Sequence, residues 1–231
     1  ESGGQPRRLS LPEIFAEDFS AAVDFLGVQP EVDRERIGVI GVCGSGGFSL
    51  AAAAIDPRIK ALATVSMYDI GGMVREGFDK TQTKAEYRAM LEAVGRQRWA
   101  EAAGAGVKMD GGAPTEVTDG MPRIFREFHE YYHTPRGRHP RTPSTFTMTS
   151  NAVMSSARPF ETLDLVSPRP LLFIAGSEAE SLYFSKDAYA MASEPKELHI
   201  VRGATHVDLY DKADLIPWRK LESFFGKHLA R

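Results

Sequence analysis

The stretch from Arg36 to Ile55, Arg-Ile-Gly-Val-Ile-Gly-Val-Cys-Gly-Ser-Gly-Gly-Phe-Ser-Leu-Ala-Ala-Ala-Ala-Ile, constrains this chain more than any other. Ile37 to Val42 is a short apolar run rich in β-branched residues, the pattern of a buried strand. Gly44 to Gly47 cannot comfortably continue a strand, and the alanine-rich Phe48 to Ile55 predicts a helix. A strand, a tight glycine turn and a helix force the residue at the apex into a strained backbone. Its side chain then stands above the sheet, at the N-terminus of the helix. Such a turn needs small residues two before and two after the apex, because strand and helix nearly touch there. Cys43 meets this with Gly41 and Ser45, and Ser45 meets it with Cys43 and Gly47. The apolar run stops at Val42, which favours Cys43. An apex at Ser45 would carry the strand through Gly44, a poor strand residue. Ser45 stays open as the alternative, as does plain burial of Cys43 as a small hydrophobe.

Length and charge limit what surrounds this element. The 231 residues, 42% hydrophobic and 26% charged, suit one globular domain with a sizeable core. A net charge of -3 gives no footprint for nucleic acid or an anionic membrane. No apolar run approaches membrane-spanning length. A lone cysteine forms no internal disulfide, so a reducing compartment, the cytoplasm, is the simplest reading.

Taken in order, Gly3, Gly4 and Pro6 mark an opening loop. Ser10 and Glu13 form a capping box, with Pro12 in the first turn, for a helix that Gly27 ends. Phe15, Phe19, Ala22, Val23 and Leu26 mark its apolar face. Ile59 to Val65 predicts a second parallel strand, ending near Asp69. Residues 71–160 break the alternation of strands and helices. They predict helices from Thr83 to about Ala103 and from Pro122 to Tyr132. A loop rich in proline and arginine, Pro135 to Pro143, and a short helix within Ser144 to Ala157 follow. An excursion this long between strands reads as a helical cap. Leu171 to Ala175 and Glu197 to Val201 predict two more strands, with Ser185 to Ala192 helical between them. Asp211 to Leu229 predicts a terminal helix packing Leu215, Trp218, Leu221 and Phe225 inward. The expected organisation is an α/β core of residues 1–70 and 161–231 with a cap of residues 71–160.

Three loops at carboxyl ends of strands each carry a reactive group: Cys43, an acid near Glu180, and His206. Such loops meet at the ligand edge of an α/β sheet. Asp69, after the preceding strand, and Glu178 are rivals for the acid. His206 follows the last strand, where a general base sits in enzymes with the order nucleophile, acid, histidine.

Gly-Val-Cys-Gly-Ser-Gly-Gly, Ile-Ala-Gly-Ser-Glu-Ala-Glu-Ser and Gly-Ala-Thr-His-Val-Asp-Leu-Tyr-Asp together resemble the dienelactone-hydrolase-like branch of the α/β-hydrolase superfamily. The resemblance implies a mostly parallel sheet, Cys43 as nucleophile, His206 as base and Glu180 where the family most often has aspartate. The Gly44 amide would be an oxyanion donor, and the N-terminus of the helix after Cys43 would favour the thiolate. The implied reaction is hydrolysis of a small ester, thioester or lactone through an acyl-cysteine, with no cofactor and no metal. A homodimer is left open. An α/β-hydrolase sheet usually has about eight strands, with the nucleophile after the fifth. Only four strands are legible here, and Glu1 to Pro6 resembles the loop after the fourth. The early strands are therefore expected on an upstream or separate segment that completes the sheet.

A second class competes. His129-Glu130-Tyr131-Tyr132-His133 matches H-E-x-x-H on a predicted helix, with both histidines on one face as zinc ligands need. The motif lies at the end of its helix, just before Pro135, with no further ligand motif downstream. A zinc metallopeptidase using His129, Glu130 and His133 is therefore the lesser reading. A hydrolase-fold protein that only binds a ligand is the third.

Overall fold

A computed structural model describes residues 7–142 and 145–230. The opening Glu1 to Pro6, likened above to a family loop, lies outside them. In chain order the elements are α1 (Pro12–Gly27), β1 (Gly38–Val42), α2 (Gly44–Ile55), β2 (Ala61–Val65), α3 (Ile70–Glu76), α4 (Lys84–Ala102), β3 (Met109–Asp110), α5 (Arg123–His133), β4 (Phe146–Thr147), α6 (Ser150–Met154), β5 (Leu171–Gly176), α7 (Leu182–Met191), β6 (Lys196–Val201), α8 (Asp208–Asp211) and α9 (Trp218–His228). The chain divides into two compact units, residues 12–70 with 158–231 and residues 1–11 with 71–157.

The first unit is an α/β sandwich. Its strands lie in the order β1-β2-β5-β6, every neighbouring pair parallel. All residues of β2 and β5 are buried, which is why they read as continuous apolar runs. Alternation still sorts them by face. Leu62, Leu171 and Phe173 join Leu50, Ala52, Ala53 and Ala188 of α2 and α7 in one core. Ala61, Ala63, Val65, Leu172 and Ile174 join Leu221 and Phe224 of α9 in the other. The sheet is thus covered by helices on both faces, and its loops at the carboxyl ends are left to build a site.

Three readings of this unit are corrected. On α1 the buried positions are Pro12, Ala16 and Val23, while Ala22 and Leu26 face solvent. The terminal helix expected from Asp211 starts seven residues late: Asp211 closes the short α8, and α9 begins at Trp218, directly after its N-cap Pro217. Trp218 is therefore 57% exposed, its indole Nε1 donating to the Ala213 carbonyl at 2.9 Å, and Phe224 takes the inward place.

The second unit is mainly helical. Thr83 caps α4 with a full capping box to Glu86, as its sequence predicts. Arg75 donates to the Ser155 and Ala157 carbonyls at 2.8 and 2.9 Å, and the Tyr87 hydroxyl lies 2.9 Å from Ser155 Oγ, tying α3 and α4 to the end of the segment. β3 and β4 form a two-residue antiparallel pair too short to show any periodicity. Arg7 to Leu11, expected with the core, belong here instead. The Arg8 carbonyl accepts from the Thr147 amide at 2.9 Å, and the Ser10 amide donates to Ser150 Oγ at 2.9 Å. Among the described residues no helix is long and apolar enough to cross a membrane.

Candidate active site

β1 and α2 meet at Cys43. Its backbone has φ 60° and ψ -130°, a conformation that only surrounding structure can hold in a residue with a side chain. Gly41 makes the bend feasible. A Cβ there would sit 2.2 Å from Ser49 Oγ and 2.6 Å from the Ser45 carbonyl oxygen. Gly46 is equally constrained, with Met67 Cβ at 2.4 Å from the place its own Cβ would take. Cys43 is thus the apex, partly buried, and the N-cap of α2. Ser45 lies inside the first turn of α2 rather than at the apex. The helix starts at Gly44, four residues earlier than its alanines suggest, so the glycines form its first turn.

His206 is delivered by the loop after β6. That loop is stitched to the loop after β5: the Glu178 amide donates to the Ala204 carbonyl at 3.0 Å, and the Gly203 amide to Ser177 Oγ at 2.8 Å. Gly176 permits the contact, since a Cβ there would lie 2.0 Å from the Ala204 carbonyl oxygen. Asp208 accepts from the Thr205 amide at 3.1 Å and pairs with Lys212 at 2.7 Å. Burial alone would raise its carboxyl, but the bonds from Lys212 and Thr205 outweigh it and hold the group below its ordinary value. The turn carrying His206 is therefore pinned from both sides.

The imidazole of His206 is fully buried and bonded at both nitrogens. Nδ1 lies 2.5 Å from Ser181 Oγ, and Nε2 lies 2.7 Å from the Tyr210 hydroxyl. The place against Nδ1 that the sequence reading assigns to Glu180 is taken by its neighbour. Ser181 is buried at the start of α7, and Glu180 faces solvent. Glu178 is also exposed, with Ser177 Oγ 3.3 Å from its carboxylate. Asp69 is buried in the loop after β2. Burial pushes the imidazole down to about 3.

The hydroxyls of Tyr210 and Tyr68 and the Gly44 amide are hydrogen-bonded to the Cys43 sulfur. The Tyr68 hydroxyl packs over Gly44, 3.3 Å from where a Cβ would stand. Its ring centroid lies 6.2 Å from that of His206. Burial raises the thiol, while the bonds from Tyr210, Gly44 and Tyr68 pull the other way; the net shift is upward. Burial thus weighs against the thiolate that the helix N-terminus is expected to favour, and against the imidazolium. Ser181, Tyr68 and Tyr210 carried no signal in the sequence, because each acts through a tertiary contact. Ser181 and Tyr210 both stood inside quoted motifs, Ile-Ala-Gly-Ser-Glu-Ala-Glu-Ser and Gly-Ala-Thr-His-Val-Asp-Leu-Tyr-Asp, but with no role read for either.

The histidines of the zinc-like motif lie on α5. His129 Nδ1 is 3.0 Å from the Pro114 carbonyl oxygen, His133 Nε2 is 3.2 Å from that of Ala113, and the two rings stack at 5.6 Å. Among the described residues no group of three or more histidine, cysteine, aspartate or glutamate side chains is placed to hold a metal ion.

Parallel sheet, strained cysteine at a strand-to-helix turn, and histidine after the last strand define the α/β-hydrolase class. Residues 8–89 match the dienelactone hydrolase family. The uncharacterized protein PA2218 of Pseudomonas aeruginosa is 46% identical over 99% of this chain, which spans 62% of that protein's length. Its crystal structure superposes with a TM-score of 0.94 at 45% identity, over 99% of this chain and 72% of that one. The uncharacterized protein YcjY of Escherichia coli K12 is 36% identical over 91% of this chain and 69% of its own length. A thiohydrolase of Eupenicillium brefeldianum is 25% identical over 98% of this chain and 73% of its own. The chain belongs to the dienelactone hydrolase family of α/β-hydrolases.

Proposed function

We propose that the protein hydrolyses a small ester, thioester or lactone through an acyl-cysteine formed on Cys43. The observation that carries this reading is the strained Cys43 with its sulfur facing two hydroxyls and the Gly44 amide. In this reading Cys43 attacks the acyl carbon and the proton passes to His206, whose Nδ1 is held by Ser181 rather than by a carboxylate. The Gly44 amide and the Tyr68 hydroxyl stabilise the developing oxyanion. Water then attacks the acyl-cysteine, with His206 as base.

The chemistry narrows the substrate. A thiolate leaves a tetrahedral intermediate more readily than an alkoxide, so a cysteine enzyme favours good leaving groups. Thioesters, phenol or enol esters and strained lactones fit, and amides do not. The likeness to a thiohydrolase favours thioesters among these. A reduced thiol at the centre of the reaction suits the cytoplasm. The test is a screen of acyl thioesters, aryl esters and lactones with the Cys43→Ala protein as control. Hydrolysis that Cys43→Ala abolishes is expected. Undiminished hydrolysis by Cys43→Ala would overturn the reading.

A further inference from the structure

We propose that the Tyr210 hydroxyl is a catalytic proton relay between Cys43 and His206. The relay rests on the acyl-cysteine reading above. In a direct nucleophile–base pair the histidine nitrogen faces the attacking atom. Here a phenol fills that place. Tyr210 Oη lies 2.7 Å from His206 Nε2, and the same hydroxyl bonds to the Cys43 sulfur.

The arrangement is built rather than incidental. The Tyr210 amide donates to the Val207 carbonyl at 3.1 Å, folding the chain back so that Tyr210 returns beside His206. The two rings meet edge on, with centroids 5.5 Å apart at 70°. Tyr68 flanks the imidazole as well, and Ser181 fixes its far nitrogen. Each polar atom in the row therefore has a neighbour in line: sulfur, phenol, imidazole, serine.

The proton moves along this row in one direction at a time. The His206 Nδ1–H donates to Ser181 Oγ, so Nε2 accepts from the Tyr210 O–H, whose oxygen accepts from the Cys43 S–H. As sulfur attacks, the S–H bond breaks and its electron pair forms the S–C bond. The thiol proton passes to Tyr210 Oη, and the phenol's own proton passes to Nε2. The carbonyl π pair becomes the oxyanion, leaving a neutral phenol and an imidazolium. On collapse the imidazolium proton returns through Tyr210 to the departing thiolate or alkoxide. No step needs a free phenolate, which would be costly for a group of pKa about 10 at neutral pH.

Tyr210→Phe removes the hydroxyl and keeps the ring. It is compared with the unaltered protein and with Cys43→Ala. The readouts are p-nitrophenyl butyrate hydrolysis, iodoacetamide alkylation of Cys43 at pH 7, and a proton inventory in mixtures of light and heavy water. The relay predicts roughly a hundredfold lower kcat/KM in Tyr210→Phe, the scale of a lost general acid–base group. It also predicts slower alkylation, and a curved inventory from two protons in flight in the unaltered protein only. Placing 3-fluorotyrosine at position 210 changes the phenol acidity with almost no change of shape, and the rate should respond. Tyr210→Phe as fast as the unaltered protein or faster, with Cys43→Ala inactive, would overturn the relay and leave the acyl-cysteine standing. Full activity in Cys43→Ala would overturn both. A 3-fluorotyrosine protein with unchanged rate and inventory would also remove the relay.

Discussion

Ser181 is the sharpest point at which this site departs from an acid–histidine pair. Ser181 Oγ and His206 Nδ1 lie 2.5 Å apart, and their residues are 1% and 0% exposed. Ser181→Ala leaves Nδ1 buried without that partner. An unsatisfied buried polar group costs about 1–3 kcal/mol. At roughly 2–4 °C per kcal/mol for a chain of this size, the melting temperature should drop by about 2–12 °C. The catalytic loss comes from the same bond. Without it the imidazole can place its proton on either nitrogen, and only one form accepts from the sulfur side. A bond of this size corresponds to about 5- to 150-fold in kcat/KM, taking about 1.4 kcal/mol per decade. That is well short of the roughly 10⁴-fold loss when the triad aspartate of a serine protease is neutralised, since a serine holds the ring without charging it. Ser181→Asp gives the complementary result: a carboxylate facing Nδ1 favours the imidazolium, so His206 should titrate higher. The assay is kcat/KM across pH 4–9 for both variants, beside thermal melts. If both variants kept the native rate, and neither moved the pH profile, Ser181 would be a packing residue and the account of the ring's orientation would be wrong.

The burial of His206 and the glycine packing set other outcomes. His206 sits at about 3 in the fold, against roughly 6.5 in an unfolded chain. The unfolded state therefore binds the extra proton as pH falls from 6.5 towards 3. Stability is complete above 6.5 and declines below it by about 1.4 kcal/mol per unit, of order 5 kcal/mol in all; urea midpoints of the native and His206→Gln proteins between pH 4 and 8 measure this, and equal slopes would refute it. For the same reason kcat/KM should show no acid limb near 6.5, and a limb there would mean that His206 is solvated. Gly41→Ala places a methyl 2.2 Å from Ser49 Oγ and 2.6 Å from the Ser45 carbonyl oxygen, so the melt should fall by at least the ~1–3 kcal/mol of an overpacked core. Gly95→Ala, in α4 with nothing within 4 Å, should instead stabilise by about 0.5–1 kcal/mol.

The sheet was legible because its constraints are local. β2 and β5 are buried on both faces, so they appear as unbroken apolar runs bounded by turns. The Cys43 bend was legible because only Gly41 allows the approach of Ser45 and Ser49. His206 was legible from its place after the last strand. The partner of His206 was not. Glu180 and Ser181 are adjacent, and which of them turns inward depends on how α7 leaves the loop, a tertiary outcome that residue type opposes. Glutamate is the better orienter, but a buried carboxylate carries a desolvation cost that a serine hydroxyl avoids. Tyr68 and Tyr210 were hidden for another reason. An aromatic in such a loop reads as packing, and only the tertiary fold brings both hydroxyls to the Cys43 sulfur. The start of the terminal helix was misplaced because apolar periodicity ran on through residues 212–216, which form a turn ahead of the Pro217 N-cap.

The central claim is a covalent bond between substrate and Cys43. A direct measurement is the intact mass of the protein quenched in acid within milliseconds of mixing with a p-nitrophenyl ester or an acyl thioester, followed by peptide mapping. The account predicts a burst of released p-nitrophenol or thiol stoichiometric with enzyme. It also predicts an added acyl mass on the peptide containing Cys43, lost in Cys43→Ala. Turnover with no acyl mass at any time, or an acyl group carried by Ser45 instead, would contradict it.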